Sequence, residues 1–129
     1  MTKPLIIGVA GGTGSGKTTV VREIVRKLGR NDVTVLHHDS YYRDVQHLPF
    51  EERVKINYDH PDSLETSLLI RHLHQLNAGE SVDVPTYDFT AHQRAAATER
   101  MAPRKVIIVD GLLILWDSDL RELMDIKVF

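Results

Sequence analysis

Eight residues near the start, Gly11-Gly12-Thr13-Gly14-Ser15-Gly16-Lys17-Thr18, have the spacing G-x-x-x-x-G-K-[ST] of a phosphate-cradling loop. Glycines let such a loop curl and approach an anion with no Cβ in the way. Its successive backbone N–H groups and the positive end of the helix that follows face the phosphates. Lys17 supplies a point charge for the outer phosphates, Thr18 offers its hydroxyl to Mg²⁺, and Thr19 completes the expected phosphate-binding set. A second acidic position fits the same chemistry. Val106-Ile107-Ile108-Val109 ends in Asp110-Gly111, a Walker-B-like run in which an apolar strand delivers a carboxylate toward a metal ion. Asp-Gly after a strand is also an ordinary turn, and the glycine loop is what favours the metal reading.

Asp39 is the candidate for activating an acceptor, because phosphoryl transfer to an alcohol uses a carboxylate to orient the hydroxyl and take its proton. A second Mg²⁺ carboxylate or a helix cap would equally put an aspartate there. Its neighbours His37 and His38 read as strand residues at a sheet end. Tyr41, Tyr42, Tyr58, Tyr87 and Phe89 gather between 41 and 89 in a chain only 6% aromatic. They suit a flat ligand to stack upon, or packing beneath a long loop. Asp59 and His92 could hydrogen-bond such a ligand or simply be solvated. His72 and His74 read as surface residues of an amphipathic helix, and no His/Asp/Glu cluster has structural-metal spacing.

The elements that must position these residues follow from hydrophobic pattern. Leu5 to Ala10 reads as a short buried strand, and Thr19 to Leu28 as a helix with Val20, Val21, Ile24, Val25 and Leu28 on one side. Gly29 ends that helix, and Val33-Thr34-Val35-Leu36 is a second strand. A strand–helix–strand unit this short implies a parallel sheet, and it sets Asp39 and the glycine loop on the same carboxyl edge. Residues 40–62 are irregular, and a loop that long in a compact domain is usually functional. Asp62 and Ser63 start the next helix, with Glu65 placed as in a capping box and Leu64, Leu68, Leu69, Leu73 and Leu76 on its apolar face. Residues 82–89 are extended, with Pro85 arguing for an edge or hairpin. Ala95-Ala96-Ala97 is locally helix-favouring. Lys105 to Val109 is the clearest strand, Asp117 or Ser118 caps a short helix, and Ile126 to Phe129 is a further strand.

The bulk properties agree with one domain over 1–129. Sixteen Lys+Arg balance eighteen Asp+Glu, so no basic stripe points to nucleic acid. With no cysteine there is no disulfide framework or thiol nucleophile. The N-terminus does not read as a secretory leader and no run reaches membrane-spanning length, so a cytoplasmic α/β protein is expected.

Taken in order, the glycine loop, His38-Asp39-Ser40-Tyr41-Tyr42, Leu48-Pro49-Phe50-Glu51-Glu52-Arg53, Asn57-Tyr58-Asp59-His60-Pro61, Tyr87-Asp88-Phe89 with His92 and Arg94, and Val109-Asp110-Gly111 closely resemble the uridine kinase (uridine–cytidine kinase) family, bacterial members in particular. The resemblance implies a P-loop NTPase-type three-layer fold, with a central parallel sheet flanked by helices and a small β-hairpin over the nucleoside site. It implies transfer of the γ-phosphate of ATP or GTP, with Mg²⁺, to the 5′-hydroxyl of uridine or cytidine in pyrimidine salvage. By position it makes Asp39 the catalytic base beside Lys17. It gives Asp59 the ribose hydroxyls, and Tyr42, Tyr58, Tyr87, Phe89 and His92 the nucleoside. It puts Thr18 and Asp110 at the metal. It also implies a homo-oligomer, a tetramer in the family.

Three departures stand out. The family usually has Glu at Asp110, a Gln commonly precedes the catalytic Asp where this chain has His38, and Ala95-Ala96-Ala97 replaces a more charged stretch. Family chains also continue well past Phe129, into arginine-bearing lid helices. No arginine here can be assigned from sequence to that duty. The alternatives are a catalytically weak nucleotide- or nucleoside-binding fragment, or a kinase of another small alcohol.

Overall fold

The computed structural model describes residues 3–11, 16–45, 47–55, 61–88 and 90–129. Its central sheet holds four parallel strands: β1 (Leu5–Ala10), β2 (Val33–His37), β5 (Val106–Gly111) and β6 (Ile126–Val128), in the order β2-β5-β1-β6. A separate antiparallel hairpin is made of β3 (Val82–Asp88) and β4 (Gln93–Met101). The helices are α1 (Lys17–Leu28), α2 (Phe50–Arg53), α3 (Thr66–Asn77) and α4 (Ser118–Glu122).

Alternation along the strands builds a core on each face of the sheet. Ile6, Leu36, Ile107 and Val109 point to one side and pack with Leu69, Leu73 and Leu76 of α3 and Leu120 of α4. Ile7, Val9, Val33, Val106 and Ile108 point to the other and pack with Val21 of α1. A sheet with apolar residues on both faces must be covered twice, which gives the three-layer α/β architecture expected from the sequence. Leu28, assigned to the apolar side of α1, is 43% exposed at its end.

The chain leaves β1 through α1 toward β2 and leaves β5 through α4 toward β6, on the far side of β1. The two connections depart in opposite directions from neighbouring strands. A crevice at the carboxyl ends of β1 and β5 is where such sheets bind ligands. Gly11 N donates to Gly111 O at 3.2 Å, so the start of the glycine loop is tied to the end of β5.

Three expectations are corrected, and the open alternative at Tyr41 is decided for packing. Ala95, Ala96 and Ala97 lie in β4, because cross-strand pairing such as Val84 with Glu99 and Pro85 with Thr98 outweighs a weak local helix preference. The helix expected from Asp62 begins at Thr66, with no side-chain cap from Glu65. The preceding residues are engaged elsewhere: Pro61–Ser63 forms a single tight turn, Leu64 bridges Tyr42, and Glu65 N donates to Tyr41 O at 2.7 Å. His72 is buried rather than on the surface, its Nδ1 bonded to the Tyr41 hydroxyl at 2.7 Å. Tyr41 is fully buried against it in an edge-on contact and is core rather than a ligand-stacking residue. Pro85 sits in the hairpin, as expected, and Asp117 caps α4 by accepting from Leu120 N at 3.0 Å.

Candidate active site

Three strand ends assemble the site. Register pairs His37 of β2 with Asp110 of β5, and Asp110 with Val9 of β1, so the loops after all three strands open on one edge. Gly16 precedes α1 with φ of 86°, a left-handed conformation that a residue with a Cβ adopts at a cost, and it turns the chain into the helix. Lys17 and Thr18 therefore stand in the first turn of α1, where unpaired N–H groups gather. Gly12, Thr13, Gly14 and Ser15 of the phosphate loop lie outside the described residues.

A cavity of about 410 Å³ opens there. It is lined by Lys17, Thr18 and Arg22 of α1, by His37 at the end of β2 and Asp39 just beyond it, and by Asp110 of β5. Ser40 and Tyr87 close the remaining side. Thr19, on the same turn, is exposed. The structure thus brings Lys17, Thr18, Asp39, Tyr87 and Asp110 together, five residues that sequence reasoning had placed in one site.

Asp110 is nearly buried and doubly held. Its Oδ1 lies 3.9 Å from Lys17 Nζ, and His37 Nδ1 lies 2.9 Å from each of its oxygens. A carboxylate can only accept, so the His37 ring nitrogen donates. That hydrogen bond, aided by the charges of Asp110 and Asp39, raises the His37 pKa above its usual value despite partial burial and the opposing charge of Lys17. Sequence reasoning had passed over His37 as a strand-end residue. Only the β2–β5 register puts it opposite Asp110, and no spacing within the chain carries that information.

His38 is the reverse case. It is 2% exposed, with Nε2 3.0 Å from Thr66 Oγ1 and Nδ1 without a partner. Burial lowers its pKa to about 4, against the raising effect of Asp39, Asp117 and Asp110. Burial likewise lowers the pKa of His72 and raises that of Tyr41. Asp39, on the tight turn His38–Tyr41, accepts no hydrogen bond and forms no ion pair among the described residues.

A further wall comes from the hairpin. Tyr87 of β3 lies with its ring 5.0 Å from that of Tyr42, tilted by 57°. Arg94 of β4 ties this wall down: its Nε donates to Tyr42 O at 2.9 Å and its guanidinium meets Glu65 Oε1 at 2.6 Å. His92 takes a left-handed φ of 53° in the turn between β3 and β4, and packs edge-on against Phe50 at 5.7 Å. Arg53 of α2 holds the turn from outside, through Ala91 O at 3.2 Å and Leu48 O at 2.8 Å. His92 does not line the cavity beside Lys17. Tyr58, Asp59 and Phe89, the other expected nucleoside contacts, lie outside the described residues.

Thr18 and Asp110 offer a hydroxyl and a carboxylate on one cavity. These hard oxygen donors suit Mg²⁺, which takes few protein ligands and keeps the rest as water and phosphate oxygens. No helix among the described residues is long and apolar enough to cross a membrane.

Comparison with known proteins fits this geometry. Residues 6–129 match the model of the phosphoribulokinase / uridine kinase family. The chain is 52% identical over 128 residues to a uridine kinase of Chloroflexus aurantiacus, and 54% identical over 127 residues to one of Streptococcus agalactiae. It is covered to 99% and 98% in these matches and spans 61% of the length of each relative. Among solved structures, it superposes on phosphoribulokinase from Rhodobacter spheroides with a TM-score of 0.72 at 15% identity, over 97% of this chain and 50% of that one. At that identity the likeness speaks for the fold.

Proposed function

This chain belongs to the phosphoribulokinase / uridine kinase family, and we propose that it transfers the γ-phosphate of ATP or GTP to the 5′-hydroxyl of uridine or cytidine. The observation that supports the reading is one cavity lined together by Lys17, Thr18, Asp39, Tyr87 and Asp110. The names of the relatives support the nucleoside as acceptor.

Each residue has a part that its chemistry explains. Lys17 and the first-turn N–H groups of α1 hold the donor phosphates. Thr18 and Asp110 would hold Mg²⁺, which would neutralise the charge of the donor phosphates. Asp39 orients the acceptor hydroxyl and takes its proton as the bond to phosphorus forms; among the described residues no hydrogen bond or ion pair competes for its carboxylate. Tyr42 and Tyr87 present aromatic surface to the nucleoside, and Tyr58, Asp59, Phe89 and His92 are proposed to complete that pocket. Arg94 acts on the pocket through Tyr42 and Glu65, as a positioning residue. A cytoplasmic homo-oligomer working in pyrimidine salvage is part of the same proposal.

Incubation of the chain with Mg-ATP and uridine, followed by chromatography, tests the reading. The expected products are ADP and UMP, with Asp39→Asn keeping nucleoside binding and losing turnover. Nucleoside-independent ATP loss that survives Lys17→Ala would sink the proposal. Binding of ATP and uridine without product favours a catalytically weak binding fragment, and turnover only with a different acceptor favours a kinase of another small alcohol.

A further inference from the structure

The cavity holds a cation that the roles above do not use. Arg22 lies on the α1 wall beside Thr18. It makes no hydrogen bond or ion pair among the described residues. Its neighbour one turn on, Arg26, is neutralised by Glu23 at 2.8 Å, and Lys17 is shared with Asp110. Among the described residues lining the cavity, Arg22 keeps an uncommitted positive charge.

Position makes that charge useful. Arg22 follows Thr18 by four residues, one helical turn, so the two share a face with Cβ atoms about 5–6 Å apart. Helical side chains lean toward the N-terminus, so Arg22 covers the turn that carries Thr18. The same cavity is lined by two carboxylates, Asp39 and Asp110. A phosphoryl group delivered to an acceptor beside Asp39 brings more negative charge into this acidic space, and Lys17 is already engaged on the donor side. A planar guanidinium with several N–H donors is the side chain suited to a phosphate monoester.

We propose that Arg22 forms a phosphate subsite on the acceptor side of α1, which takes the 5′-phosphate of the nucleoside monophosphate product. The assignment rests on the nucleoside kinase reading above. It supplies from the phosphate-loop helix itself a guanidinium that sequence reasoning could not locate. The signal was the i, i+4 spacing from Thr18, and it became meaningful only once Asp39 and Asp110 were seen to line the same cavity.

Calorimetric titration of the 129-residue chain with uridine, UMP and ADP tests the subsite, in wild type, Arg22→Gln and Arg22→Lys. Arg22 is exposed on a helix, so both variants keep the core intact. Arg22→Gln is expected to weaken UMP about tenfold, a loss of roughly 1.4 kcal/mol, and to leave uridine and ADP unchanged. Arg22→Lys is expected to recover part of the loss, and the salt dependence of UMP binding to become shallower in Arg22→Gln. Unchanged UMP affinity in Arg22→Gln, or an equal loss for uridine or ADP, overturns the subsite. A wild type that binds neither uridine nor UMP overturns the nucleoside reading instead. Arg22 is then judged on orthophosphate, whose binding must fall in Arg22→Gln for the subsite to stand.

Discussion

His38 gives a prediction whose sign and size both follow from its surroundings. The ring is enclosed between the α3 start, where Thr66 bonds its Nε2, and the end of β5, where a Cβ built on Gly111 would lie 2.6 Å from the His38 Cβ. Burial holds the folded-state pKa at about 4, below the ordinary 6.5. The unfolded chain accepts the proton near 6.5 and the folded chain resists it until about 4. The contribution of the neutral ring is therefore complete above pH 6.5 and is lost as pH falls toward 4. Between pH 7.5 and 4.5 that loss is roughly 2.5 kcal/mol. His38→Gln removes the titrating group and keeps an amide able to reach Thr66. All other titrations, including that of buried His72, are common to both proteins and cancel in the difference. Urea unfolding of both at pH 7.5, 6.0, 5.0 and 4.5 is expected to show the variant gaining on the wild type by about that amount as the solution is acidified. A stability gap that stays constant across the range refutes the reasoning, because it would mean that His38 takes up its proton equally in both states.

Further predictions concern the walls of the site and its support. Arg94→Gln removes the contacts to Glu65 and the Tyr42 carbonyl and should cost about 2 kcal/mol; amides of β3 and β4 should exchange faster with deuterium while those of α1 do not change. Gly111→Ala forces a Cβ against His38 and against Ile114 at 3.0 Å, and should destabilise by about 1–3 kcal/mol in thermal melts. Leu73→Ala empties a fully buried position between α3 and the sheet and should cost about 2–5 kcal/mol by urea unfolding.

Local signals were legible wherever one residue's chemistry answers to its near neighbours. The strands Leu5–Ala10 and Val106–Gly111 could be read as apolar runs because buried parallel strands carry apolar residues on both faces. Asp117 could be read as a cap because a cap bonds within one turn. The failures involve partners distant in sequence. Ala95 to Ala97 extend because the residues on either side of them, Arg94 and Thr98, pair with Tyr87 and Pro85 across a register shift, and Thr86 Oγ1 donates to Ala97 O at 2.7 Å. The α3 start waits until Thr66 because Leu64 and Glu65 are bonded to the loop after β2. His72 looked like a surface residue on its helix, and Tyr41, 31 positions away, buries it. Arg94 entered only as part of a recognised motif; its partners Tyr42 and Glu65 became visible with the hairpin docked.

The sequence alone named Lys17, Thr18, Asp39, Tyr87 and Asp110 as candidates for the site, and passed over His37 and Arg22. A glycine loop with Lys17 and Thr18 needs only its own spacing and the helix behind it, and Asp110 needs the apolar strand before it together with that loop. Composition and pattern were sufficient for a parallel α/β domain, and the ordered motifs for a family. Tertiary structure decided how those residues share charge. Strand order sets β5 between β1 and β2, which brings Asp110 within reach of both Lys17 and His37. That commits the lysine, while Arg22, on the same cavity as Asp39, makes no ion pair among the described residues. Coulomb and hydrogen-bond energies depend on separation in space, and the sheet converts a separation of 73 residues between His37 and Asp110 into 2.9 Å.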